Sequence, residues 1–130
     1  MTDEELIGTA TALAGEFRPG PTCVAGEVAA AILTRAGNVY TGICIDASCS
    51  IGFCAEHAAV AEMLKRRESE IAVVVAVDDE GRILPPCGRC RELMWQVNPT
   101  NSQARVMLSP TRSVTLFELL PYQHQTCGFD

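Results

Sequence analysis

Apolar residues recur along this chain at two different spacings. Leu6, Ala10, Leu13, Ala14 and Phe17 fall on one face of a 3.6-residue helix, and Thr2 followed by Glu5 has the spacing of a capping box. Together they predict a helix over about 3–17, ended by Arg18-Pro19-Gly20-Pro21. Residues 28–33 and 39–45 are apolar runs around the turn Ala36-Gly37-Asn38, which suits two hairpin strands. A helical period resumes after Gly52 and continues to about Arg67. Its apolar positions are Ala58, Ala61, Met63 and Leu64, and its solvated ones are Glu62, Lys65, Arg66 and Glu68. Residues 71–77 are unbroken Ile, Ala and Val, the composition of a central strand covered on both faces. Pro85-Pro86 precede a helix over 87–97, because proline fits a first turn and disrupts a later one. Residues 104–108 and 113–116 read as short strands, and no period continues through 121–130. The order α-β-β-α-β-α-β-β predicts an α/β protein with a mixed five-stranded sheet and helices on its faces.

Length and charge narrow the picture. With 130 residues, the chain is long enough for one core and too short for two, so a single domain over 1–130 is expected. Ten Lys and Arg against 16 Asp and Glu give a net charge of −6, which repels a phosphate backbone, so no nucleic-acid partner is expected. Met1-Thr2-Asp3-Glu4-Glu5 lacks the basic and apolar segments of a secretory signal. No apolar run approaches the roughly 18 residues of a membrane span, so a cytoplasmic protein without a membrane partner is expected. The seven cysteines Cys23, Cys44, Cys49, Cys54, Cys87, Cys90 and Cys127 cannot all pair within one chain, and a reducing compartment leaves them free for metal or catalysis.

Two cysteine motifs stand at predicted helix starts: Cys54-Ala55-Glu56 and Pro86-Cys87-Gly88-Arg89-Cys90. Cys87 and Cys90, three apart, point to one side of a first turn and can grip one ion, with Cys54 arriving from the other helix. Both helix starts aim the positive end of a dipole at the sulfurs, which favours thiolate. Three sulfurs leave a tetrahedral Zn²⁺ one open position, as in catalytic rather than structural sites. Glu56 follows one ligand too closely to be another from the same turn, and it can reach a water at the open position. It is the expected proton carrier in a hydrolysis at an electrophilic carbon. Other readings of these residues stay open. Cys54 and His57 are also three apart, so His57 as fourth ligand would close a structural site. Cys87 and Cys90 alone fit a redox dithiol, and Glu56 fits an exposed carboxylate at a helix start. Cys23, Cys44, Cys49 and Cys127 fit small buried or loop residues, and His124 a surface residue of the tail.

At these motifs the chain resembles the small cytidine deaminases, whose pattern is Cys-Ala-Glu followed by Pro-Cys-x-x-Cys. Tyr40-Thr41-Gly42 and Glu118-Leu119-Leu120-Pro121 extend the resemblance, and Pro86-Cys87-Gly88-Arg89-Cys90-Arg91 also matches blasticidin S deaminases. The resemblance implies a three-layer α/β/α fold, zinc on Cys54, Cys87 and Cys90, and Glu56 as the catalytic carboxylate while water attacks C4 of a cytosine. It also implies a small cytosine nucleoside or analogue as substrate and a homotetramer whose subunits lend residues to neighbouring sites. Cys44, Asp46, Ala55 and the C-terminal aromatic Phe129 are the substrate-binding positions it suggests.

The nucleoside-handling positions depart from the common cytidine enzymes, which carry Phe before the first strand and Asn-x-Glu on the second. Read back without gaps from Gly42, the corresponding residues are Gly26, Cys44 and Asp46. A thiol cannot replace the two-sided hydrogen bonding of an amide. Turnover of modified or analogue substrates is therefore expected to approach or exceed that of cytidine, with Asp46 either the remaining sugar contact or simply the end of a strand. His57 stands where the common enzymes carry an Arg that tempers thiolate charge, and both His57 and Arg89 are candidate hydrogen-bond donors to sulfur. Three functions compete: deamination of cytidine, deoxycytidine or a modified cytosine nucleoside; detoxification of a cytosine antibiotic such as blasticidin S; and a non-catalytic zinc-stabilised oligomeric module, against which Glu56 argues.

Overall fold

The long strand β2 (Cys23–Thr34) is the spine of the molecule, pairing antiparallel with β3 (Val39–Ala47) along one edge and with β4 (Ile71–Asp78) along the other. This computed structural model describes residues 1–124. The sheet continues from β4 to β5 (Arg105–Ser109) in parallel and from β5 to β6 (Arg112–Thr115) antiparallel, so it is mixed as expected. Helix α1 (Asp3–Leu13) lies on one face, and α2 (Ala55–Lys65) and α3 (Gly88–Val97) lie on the other. Residues of β4 alternate between the two cores. Val73, Val75 and Val77 meet Leu6 and Ala10 of α1. Val74 and Ala76 meet Val60 and Met63 of α2 and Met94 of α3. This two-sided burial is why residues 71–77 carry no polar side chain. The result is the three-layer α/β/α arrangement.

Four features differ from the sequence pattern. Helix α1 stops at Leu13 rather than near 17, because Ala14 turns extended and the Gly15 N–H donates to the Gly26 carbonyl at 2.7 Å. Leu13 and Phe17, expected on the buried face, are 45% and 52% exposed. Phe17–Gly20, read as a break, is a short strand β1 that pairs with the first residues of β2 and makes the described sheet six-stranded rather than five-stranded. At the other end, Thr115 and Glu118 form a capping box that starts a one-turn helix α4 (Leu116–Leu119), a signal too short to show as a period. Cys87 is not the first residue of α3 but its N-cap.

Two glycines answer to close approach. Gly26 has φ +83° in an irregular stretch of β2, where a Cβ would lie 2.2 Å from the Gly15 carbonyl oxygen. Gly42 of β3 lies under α2, and a Cβ there would stand 2.4 Å from the Ala59 nitrogen and 2.5 Å from the Ala55 carbonyl oxygen. Both of those atoms are backbone of the helix that opens with Cys54 and Glu56. Gly42→Ala must therefore push α2 off the sheet. The expected loss of unfolding free energy is about 2 kcal/mol or more, measured by denaturant titration, with activity falling in the fraction that remains folded.

Candidate active site

Cys54 and Cys87 are the N-caps of α2 and α3, and neither side chain caps its own helix. Their sulfurs instead face each other at 3.4 Å, and Cys90, in the first turn of α3, brings a third sulfur 3.5 Å from that of Cys87. The donor atoms of Cys54, His57 and Cys90 also all lie within 4.8 Å of one another, with His57 Nδ1 3.4 Å from the Cys90 sulfur. A tetrahedral zinc with sulfurs at about 2.3 Å spaces them roughly 3.8 Å apart, a few tenths of an ångström wider than the Cys54–Cys87 and Cys87–Cys90 separations. The soft donor set and its geometry fit zinc.

Two backbone clamps hold these caps in place. Ile45 and Phe53 exchange hydrogen bonds of 3.0 and 2.9 Å, closing the loop between β3 and α2 just before Cys54. On the other side, Ile83 bridges Val77, and the Leu84 N–H donates to the Ala76 carbonyl at 2.9 Å, which fixes Pro85-Pro86 ahead of Cys87. Arg91 holds the same segment from behind. Its Nε donates to the Pro86 carbonyl at 2.8 Å, and a terminal nitrogen donates to the Leu119 carbonyl of α4 at 3.1 Å. The motif reading passed over Arg91 as a positioning residue, although it directly follows the second motif.

Electrostatics at the site are dominated by burial. Glu56 is 5% exposed, and loss of water raises its pKa against the lowering effects of its own backbone N–H and of Cys90. Burial also pushes up the thiols of Cys54 and Cys90, and Cys90 is raised further by the Glu56 charge. Cys87 goes the other way. Burial opposes ionisation there too, but the nearby Cys90 backbone N–H, the Cys54 and Cys90 thiols and the Arg89 backbone N–H together bring its pKa below the ordinary thiol value. His57 is held below the ordinary imidazole range by burial and then by the charge of Arg89. Its ring stacks on Phe53, with centroids 6.4 Å apart.

A cavity of about 170 Å³ opens onto these groups. Its chemical end is Cys54, Glu56 and Cys87, and its walls are Val28, Cys44, Ala55, Ala76, Leu84 and Pro85. Of the residues expected to touch substrate, Cys44 and Ala55 line it. Asp46 is exposed inside β3, opposite Val24, and outside the cavity wall. Phe129 and Cys127 lie outside the described residues. Gly26 is packed against Gly15, and the wall residue nearby on β2 is Val28, which no motif marked. Arg89 is exposed and meets the cluster through its backbone N–H, while its charge acts on His57. A larger groove of about 700 Å³ beside Trp95, Phe117 and Tyr122 carries neither cysteine nor histidine among the described residues.

A three-layer mixed sheet that brings a thiol cluster and a buried carboxylate to paired helix starts defines a zinc hydrolase. The model of the cytidine and deoxycytidylate deaminase zinc-binding region matches residues 1–104. A cytidine deaminase of Mycobacterium tuberculosis is 32% identical over 119 residues, covering 89% of this chain and 84% of that protein. A blasticidin-S deaminase of Bacillus cereus is 28% identical over 107 residues, covering 75% and 76%. The crystal structure of the Mycobacterium tuberculosis cytidine deaminase superposes with a TM-score of 0.78 at 31% identity, over 95% of this chain and 98% of that one. The chain belongs to the cytidine and deoxycytidylate deaminase family and is a zinc-dependent hydrolytic deaminase. Among the described residues, no helix is long and apolar enough to cross a membrane.

Two ligand sets share the cluster, three thiols or Cys54, His57 and Cys90, and metal analysis separates them. His57→Ala is expected to keep one zinc per chain, and Cys87→Ser to fall well below one. The reverse result would make His57 the third ligand and Cys87 a neighbour.

Proposed function

We propose that this chain removes the exocyclic amine of a free cytosine nucleoside or close analogue by hydrolysis. The observation that carries this reading is the buried Glu56 carboxylate, which shares one small cavity with the sulfurs of Cys54 and Cys87. Cys54, Cys87 and Cys90 would hold the zinc. When bound, the ion supplies the Lewis acidity that brings the pKa of a water toward about 7. Glu56 would take a proton from the attacking water and give it to the ring nitrogen beside C4, then carry the remaining hydroxyl proton to the amine as the C–N bond breaks, so that ammonia leaves and a carbonyl remains. Its raised pKa suits this exchange, because a carboxylate moved toward neutrality both takes and releases protons readily. With its proton on Nδ1, His57 would donate to the Cys90 sulfur and offset part of the charge that three thiolates concentrate. The net charge of −6 and the small cavity favour a free nucleoside over a polymer.

Detoxification of a cytosine antibiotic is the second reading, favoured by the Bacillus cereus relative and by Pro86-Cys87-Gly88-Arg89-Cys90-Arg91. Loss of cytosine absorbance, followed on cytidine, deoxycytidine, N4-modified cytidines and blasticidin S, ranks the two. On the best of these substrates, Glu56→Gln is expected to keep its zinc and lose about 10²–10⁴-fold in turnover. Retention of more than a tenth of wild-type turnover would remove Glu56 from the mechanism.

The 130 residues act as one domain in this reading, and four copies assemble. Ile51, Phe117 and Tyr122 are 74%, 59% and 90% exposed, apolar surface that a second copy can cover. Light scattering at micromolar concentration is expected to give four times the chain mass, and a single-chain particle would overturn the assembly.

A further inference from the structure

Away from the metal-ligand end, the cavity walls of Val28, Ala55, Ala76, Leu84 and Pro85 offer no side-chain nitrogen or oxygen. Among the described residues, the one side-chain heteroatom there is the sulfur of Cys44. That sulfur is already engaged. Between the pairs Ala25 with Ile45 and Ala29 with Ile43, β2 has three residues where β3 has only Cys44. The ladder is broken there, and the Val28 N–H donates to Cys44 Sγ at 3.3 Å. Sulfur is a weak acceptor and a thiol a weak donor, so Cys44 has little left to give a hydroxyl. Asp46, two residues further along β3, is exposed and not part of the wall.

Resting on the deaminase reading above, we propose that Cys44 is a specificity-determining residue that makes the cavity indifferent to sugar hydroxyls. Cytosine nucleosides lacking the 2′- and 3′-hydroxyls then belong to the substrate class alongside cytidine. A site that hydrogen-bonds a hydroxyl rejects analogues without it by roughly 10⁴-fold, because its polar partner is left unpaired, and a wall of thiol and hydrocarbon has no such partner to strand. The Val28–Cys44 contact serves the backbone bulge and fills the place where a stronger hydrogen-bonding group would otherwise face the ligand.

The test compares kcat/KM of the zinc-loaded wild-type protein on cytidine and on 2′,3′-dideoxycytidine. Values within about tenfold of each other are expected. Cys44→Asn, which places an amide in the wall, should raise the preference for cytidine at least tenfold over wild type. A wild-type preference for cytidine above tenfold, with both compounds converted to their uracil forms, would overturn the role of Cys44 and leave the deaminase reading intact. No conversion of any cytosine nucleoside by fully zinc-loaded protein would overturn the deaminase reading, and this inference with it. The wild-type comparison stands even if Cys44→Asn does not fold.

Discussion

Gly42 has a hydrogen where any other residue would place a methyl group, and the space that leaves is filled by the backbone of α2 at Ala55 and Ala59. Interiors are close-packed, so this approach fixes the height of the helix above the sheet to within a fraction of an ångström. The same helix starts at Cys54 and carries Glu56 in its first turn. That contact sets the depth of Glu56 and of Cys54, while the backbone bonds around Phe53 and Leu84 and the Arg91 side chain place the two caps against each other. β3 reaches its place through a long antiparallel ladder with β2, and β2 in turn pairs with β4, whose last residues anchor the approach to α3. Both halves of the thiol cluster are thus measured from a single sheet.

Burial and helix ends pull the site in opposite directions. Removing water disfavours every charge there, which is why the Glu56, Cys54 and Cys90 pKa values rise. Helix N-termini supply the counterweight. Their free N–H groups favour anionic sulfur, most visibly at Cys87, where backbone and thiol neighbours together outweigh burial. A divalent cation resolves the conflict for all three thiols, since a ligating sulfur gives up its proton. The cluster is therefore under electrostatic tension that metal binding relieves, with Cys90 buried among Ala55, Ala59 and Met94 while Cys54 is half-buried and Cys87 exposed.

Much of this was legible in the sequence because its signals are local. A capping box at Thr2, apolar runs around Gly37, a proline pair before Cys87 and thiols three residues apart each declare themselves within a few positions. The missed features depend on partners far along the chain. Phe17–Gly20 becomes a strand only because the start of β2 offers it an edge, and α1 ends early only because Gly26 presents a carbonyl to Gly15. Arg91 looks like one more helix charge until the Pro86 and Leu119 carbonyls are brought to it. Cys44 and Asp46 are both suggested by the family resemblance, read without gaps from Gly42. The structure separates them, since an irregular β2 turns Cys44 toward its own backbone while Asp46 stays at the surface.

The paired hydrogen bonds between Ile45 and Phe53 give the segment between them an unusual freedom. Asp46 and Ala47 still pair with Val24 and Cys23 of β2, but beyond the end of β3 the few residues 48–51 form a loop whose ends this pair joins by backbone ahead of Cys54. The segment already takes liberties, with Cys49 and Ser50 at φ +64° and +56°, conformations that side chains rarely adopt. Doubling the length of such a closed loop costs only about 0.6 kcal/mol, so residues can be added or removed there without moving a ligand. This stretch is a natural port for grafting, where a new recognition element could be inserted beside the cavity while the chemistry behind it stays in register.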